Sequence, residues 1–189
     1  IVDAAGGRYI DASIIGRPPG PDRAPRFYVS GPNADIMMEL DDKGIVVRHL
    51  GDAIGRASGI KMCYAALTKG TWALHMALLT AAEAMGLSEE LRTEFSSSQP
   101  DRLDRMQTDL PGLPANAHRW VGEMEEIAAT FEHVGVTPLL HQGAAEVFSL
   151  LGATPFAEET PETLDLQRTL EQTISVVAQS LPARVGTTD

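Results

Sequence analysis

The sequence predicts a mainly α-helical chain with a small β/α piece at its N-terminal end. Three observations carry that expectation. Up to about residue 53, short β-branched or aromatic runs alternate with Gly and Pro. From residue 54 onward, apolar residues recur at helical spacing. Glycines at 86 and 135 stand where helices would stop. The expected division is therefore 1–53 and 54–189.

In the first region, "GRYIDASIIG" (7–16), "RFYVSG" (26–31) and "GIVVRHLG" (44–51) have the length and composition of strands. "RPPGPDRAP" (17–25) holds four prolines and excludes regular structure. "GPNADIMMELDDKG" (31–44) reads as a short helix with Asn33 as its cap and Gly44 beyond its end. Three strands make a marginal sheet. The opening also reads as a βα unit entered midway, and both features predict a piece of a longer protein.

The second region predicts one long helix over 55–86, apolar nearly all round and therefore central. A helix follows from an N-cap at Ser88, and another over 100–110 starts on Pro100. The turn "PGLPANA" (111–117) leads into a helix over 118–135. Thr137 and Pro138 open one over 137–152, and a last helix is expected over 162–181.

Charge and composition exclude several function classes. A net charge of −11 argues against a nucleic-acid binder and against a polybasic membrane-surface module. The most apolar stretch, 60–87, is broken by Lys61, Lys69, His75 and Glu83, so it reads as a core helix and not a membrane span. No basic-then-apolar leader is read at the start, and a cytoplasmic protein is expected. The single cysteine, Cys63, excludes a disulfide framework and reads as a small buried hydrophobe. His118, His133 and His141 form no ligand set with Glu123, Glu126 and Glu146, so no metal is expected. "EMEE" (123–126) reads as a solvated helix face.

Lys61 stands apart, as an ammonium group near the start of the most apolar helix. One reading has it snorkel to solvent. The other has it face an internal cleft, where partial burial and the positive helix end disfavour its charge and fit it for acid/base work. Gly55 and Gly59 would let a ligand or another backbone approach closely. On the helix alone both readings stand.

The order "YIDASIIG", "RFYVSGPNAD", "VRHLGDAIGRASGIKMCYAALTKG" resembles the 3-hydroxyisobutyrate / 6-phosphogluconate dehydrogenase superfamily over roughly residues 7–150. It is most similar to a bacterial 6-phosphogluconate-dehydrogenase-like branch, of which "ALTKG" and "RWVGEMEEIA" are typical. The resemblance implies that 1–53 is the tail of a Rossmann-type NAD(P)-binding domain. It implies that 54–189 is an all-helical, 6-phosphogluconate dehydrogenase C-terminal-like substrate and dimerisation domain.

It further implies an NAD(P)-dependent oxidoreductase moving hydride between nicotinamide and a small hydroxy or keto substrate. NAD or NADP would be bound mainly by an upstream domain, and a homodimer is implied. Lys61 falls on the family's catalytic lysine, while Ser13, Gly16, Tyr64, Thr68 and Arg119 are the candidates for the substrate side. Arg119 and Trp120 could close the cleft, Arg119 having a surface ion pair as its alternative role. The chain departs from the family at Ile15, where a carboxylate-binding serine is usual, and at Ala65, where an asparagine anchors substrate. The family's second lysine has no counterpart near Glu123–Glu126. The alternative function is a non-catalytic helical dimerisation or interaction domain.

Overall fold

The computed structural model describes residues 2–16, 18–160 and 162–182. It divides into two compact units, Ile1–Ala65 and Ala66–Asp189. The expected boundary at 53/54 lies just before the long helix, whereas the units meet within it.

The first unit is built on a three-stranded sheet in the order β1-β2-β3. Strand β1 (Asp11–Ile15) pairs antiparallel with β2 (Arg26–Ser30), with Ser13 opposite Tyr28. Strand β3 (Val46–His49) runs parallel to β2, with Phe27 opposite Val47. A parallel neighbour requires a crossover, and residues 31–45 supply it through a 3-10 helix, Ala34–Leu40. The expected helix there is thus of the tighter kind. The Asn33 side chain does not cap it and instead donates to the Tyr9 carbonyl (3.2 Å).

The sheet's small core is Val29, Ala34 and Val47, flanked by Ile10, Phe27, Met37 and Ile45. Gly31 takes φ +106° and donates to the Gly51 carbonyl (3.1 Å), so the ends of β2 and β3 are held together. A Cβ at Gly31 would also stand 3.3 Å from Ile54, a second reason for glycine. Along β1, Asp11, Ser13 and Ile15 are buried while Ala12 and Ile14 are exposed, the period-2 pattern of a one-faced strand.

Helix α1 (Arg56–Met85) begins in the first unit, continues in the second and stops at Gly86, φ +71°. It is not central as expected. Ala65, Ala66, Ala73, Met76 and Ala82 are buried, but Leu67, Leu74 and Met85 are 74%, 61% and 61% exposed. Cys63, expected in the core, is also exposed. The apolar residues encircle α1, yet small alanines and Met76 suffice for the face it buries.

The second unit adds α2 (Ser88–Ser98), α3 (Pro100–Asp109), α4 (Pro114–His133), α5 (Leu139–Gly152) and α6 (Leu170–Gln179). Ser88 is the first helical residue and not a cap; its hydroxyl donates to Glu83 (2.5 Å). Helix α4 starts at Pro114, because proline at the first helical position needs no N–H partner, and the expected turn is accordingly shorter. Helices α4 and α5 pack along each other, burying Met124, Ile127, Phe148 and Leu151. Each such side chain contributes about 1.5–3 kcal/mol. Trp72, Trp120 and Phe148 form a chain of rings with centroids 5.2 Å apart that joins α1, α4 and α5.

The last helix is shorter than expected at its start. Thr169 and Gln172 form a capping box at the head of α6. The preceding segment is held by Arg168, which pairs with both carboxylate oxygens of Glu159 and donates to the Pro111 carbonyl. Its guanidinium lies 3.9 Å over the Phe156 ring. Within the "EMEE" stretch, Glu125 and Glu126 are exposed, but Glu123 is half-buried and pairs with Lys69 at 2.7 Å. Among the described residues no helix is long and apolar enough to cross a membrane.

Candidate active site

Helix α1 opens on Gly55 and Arg56, which offer no capping side chain of their own. The first four N–H groups of a helix need acceptors, and a strand residue supplies one. Asp11 Oδ2 accepts from the backbone N–H of Gly55 (2.9 Å), Ala57 (3.0 Å) and Ser58 (3.2 Å) and from the Ser30 hydroxyl (2.7 Å). The Ser58 hydroxyl donates to Oδ1 at 2.5 Å. The Ala57 N–H also reaches the Ser30 hydroxyl (3.1 Å), and Ser13 donates to the Ala57 carbonyl (2.6 Å).

Burial alone would raise the Asp11 pKa. The Ser58 and Ser30 hydroxyls, with the Ser58 and Gly55 amides, outweigh it, and the carboxyl titrates below its ordinary range. A fixed negative charge therefore sits at the positive end of α1.

Lys61 is one helical turn beyond this capped end, half-buried. Among the described residues its ammonium makes no side-chain hydrogen bond or ion pair. Tyr64, one turn further, is 52% exposed, and Thr68 is half-buried on the same helix. Gly16 ends β1 with φ +130°, a conformation that favours glycine. Ser13 is 6% exposed with its hydroxyl engaged by Ala57, so in this arrangement it braces the helix start. Of the positions where the chain departs from the resemblance, Ile15 and Ala65 are both buried.

In the second unit, Arg119 is exposed and donates to Asn116 Oδ1 (3.3 Å), a local surface contact one turn away on α4. Trp120 packs between Trp72 and Phe148. Asp11, Ser30 and Ser58 were not among the site residues read from the sequence. The signal available was a long helix opening without a local cap, which needs an acceptor from elsewhere.

Residues 82–151, from the end of α1 through α5, match the family described as Domain of unknown function (DUF1932). Over those residues the chain is similar to that family. The chain is 31% identical over 142 residues to the uncharacterized 28.5 kDa protein in the 7S RNA 5'region of Methanothermus fervidus, covering 75% of this chain and 55% of that one. Its fold is shared with a conserved hypothetical protein from Sinorhizobium meliloti 1021 (TM-score 0.72, 24% identity, 93% of this chain and 58% of that one).

It is also shared with the conserved protein MTH1747, of unknown function, whose structure is described as revealing similarity with 3-hydroxyacid dehydrogenases (TM-score 0.61, 28% identity, 77% of this chain and 57% of that one). The chain thus spans little more than half the length of the relatives it matches. The expected mainly α, hydroxyacid-dehydrogenase-like architecture holds.

Proposed function

We propose that this chain is the helical, lysine-bearing part of an NAD(P)-dependent oxidoreductase acting on a small hydroxy or keto substrate. The observation that carries the reading is Lys61: a half-buried ammonium without a side-chain partner among the described residues, one turn past a rigidly capped helix start. The likeness to MTH1747, itself described as similar to 3-hydroxyacid dehydrogenases, supports the reaction class.

The start of α1 does not fit a dinucleotide's pyrophosphate. The N–H groups that open α1, which could bind phosphate, are taken by Asp11. The reading therefore assigns the dinucleotide to a part of the parent protein outside these residues and the substrate side to this one. Bound there, a nicotinamide would supply or accept the hydride. Lys61 would accept the proton of the substrate hydroxyl on oxidation and return it on reduction, while holding the negative charge that develops on oxygen. Gly16 and Tyr64, in the same unit as Lys61, are the substrate-side candidates in this reading. The outward apolar stripe of α1 supports a homodimer, and a cytoplasmic protein is part of the reading.

The test is Lys61→Ala in the intact parent protein. Turnover should fall by about 100-fold or more, with the melting temperature and dinucleotide affinity unchanged. Undiminished turnover would overturn the assignment and favour a non-catalytic helical interaction domain.

A further inference from the structure

The second unit contains a cavity of about 680 Å³ between the middle of α1 and the head of α3, a volume ordinary for a small-molecule site. Its α1 wall carries Thr71, Trp72 and His75, and its α3 wall carries Arg102 and Arg105. These two arginines are exposed and lie three residues apart, hence on one helix face. Among the described residues neither makes a side-chain hydrogen bond or ion pair. Asp101 and Asp109 complete the charged lining, and Asp109 accepts from the Trp72 indole N–H (3.2 Å).

The head of α3 adds to this side of the cavity. Gln99 precedes Pro100 without a side-chain cap, so the N–H groups that open α3 have no side-chain acceptor from Gln99, while Asp101 stands in its first turn. The second observation is independent of charge on the surface. His75 is only 6% exposed, and among the described residues its Nε2 has no hydrogen-bond partner. A buried unsatisfied nitrogen in a cavity wall calls for a partner that the protein itself does not supply. Burial, and then the nearby Arg102 charge, lower the His75 pKa, with Asp109 opposing, so the imidazole is neutral at pH 7 and can donate or accept one bond.

We propose that this cavity binds a small organic anion, its carboxylate or phosphate group held by Arg102 and Arg105 and its body packed against Trp72. Paired guanidiniums suit an oxyanion because they donate in a planar fork. His75 contributes at the buried end. The site lies wholly in the second unit and does not depend on Lys61.

The experiment titrates the purified chain with inorganic phosphate and, separately, with malonate, reading tryptophan fluorescence and melting temperature. Wild-type protein should respond saturably to at least one of them, and the tighter of the two identifies the oxyanion type. Arg102→Gln/Arg105→Gln should weaken that binding by at least about tenfold while leaving the circular dichroism unchanged. Arg92→Gln, an exposed arginine outside the cavity, should bind as wild type. No saturable response to either anion, or the same affinity in the double variant, overturns the site. So does a response that tracks self-association in sedimentation, which would give the cavity to a second copy of the chain.

Discussion

Asp11 does from a strand what a capping side chain ordinarily does from the residue before a helix. It satisfies three backbone N–H groups at once and fixes where α1 begins. Lys61, in the same unit, follows that anchor by one helical turn. Replacing Asp11 by Asn keeps the shape but removes the charge and turns one acceptor oxygen into a donor facing donors. The expected cost is about 1–3 kcal/mol of unfolding free energy, accompanied by faster amide hydrogen exchange at Gly55, Ala57 and Ser58. Unchanged exchange at those three amides would show that the helix start does not depend on Asp11. Lys61 stood out in the sequence as an ammonium group near the start of an apolar helix. The Asp11 network did not, since its helix partners lie 44 to 47 residues away along the chain, Ser30 lies 19 away, and only folding brings them together. Nor did the sequence show that the Ser13 hydroxyl is engaged by Ala57.

Among the elements, the strands and the ends of α1 were readable because Gly and Pro punctuate them and β-branched runs fill them. The head of α6 was not. Polar periodicity suggested a helix from 162, whereas the Arg168–Glu159 pair and the Thr169 capping box hold the segment before α6 in another course. The burial of α1 was misjudged for a different reason: apolar residues on all sides specify no particular buried face. Leu67, Leu74 and Met85 lie on one side of the helix and are open to solvent, which is costly unless a partner covers them. In the proposed homodimer that partner is a second α1. Leu74→Glu, placed outside the anion cavity, is expected to shift sedimentation from dimer to monomer with no loss of helical circular dichroism. A wild-type chain that sediments as a monomer at high concentration would rule out pairing through this face.

The whole molecule should respond to acid in two ranges, because its perturbed groups differ in kind. His141 is 7% exposed, lies edge-on to Phe131 with centroids 4.5 Å apart, and has no hydrogen-bond partner on either ring nitrogen among the described residues. Burial lowers its pKa below 6.5, and His75 is lowered in the same direction. Between the lowered folded value and 6.5, the unfolded chain binds more protons than the folded one, so stability rises with pH there. The histidine contribution is complete above 6.5 and is lost as pH falls through the folded values. Asp11 acts in the same sense at lower pH: its contribution is present above 3.8 and is lost as pH falls through its lowered folded value. Unfolding free energy measured by urea titration should therefore decline below about pH 6.5, and again below the ordinary carboxylate range. His141→Leu fills the same apolar niche without a titrating nitrogen. It should flatten the upper decline while leaving the acid one intact, because Asp11 belongs to the other unit. Identical slopes for wild type and His141→Leu between pH 7 and 5 would mean that His141 does not titrate differently in the folded and unfolded chain.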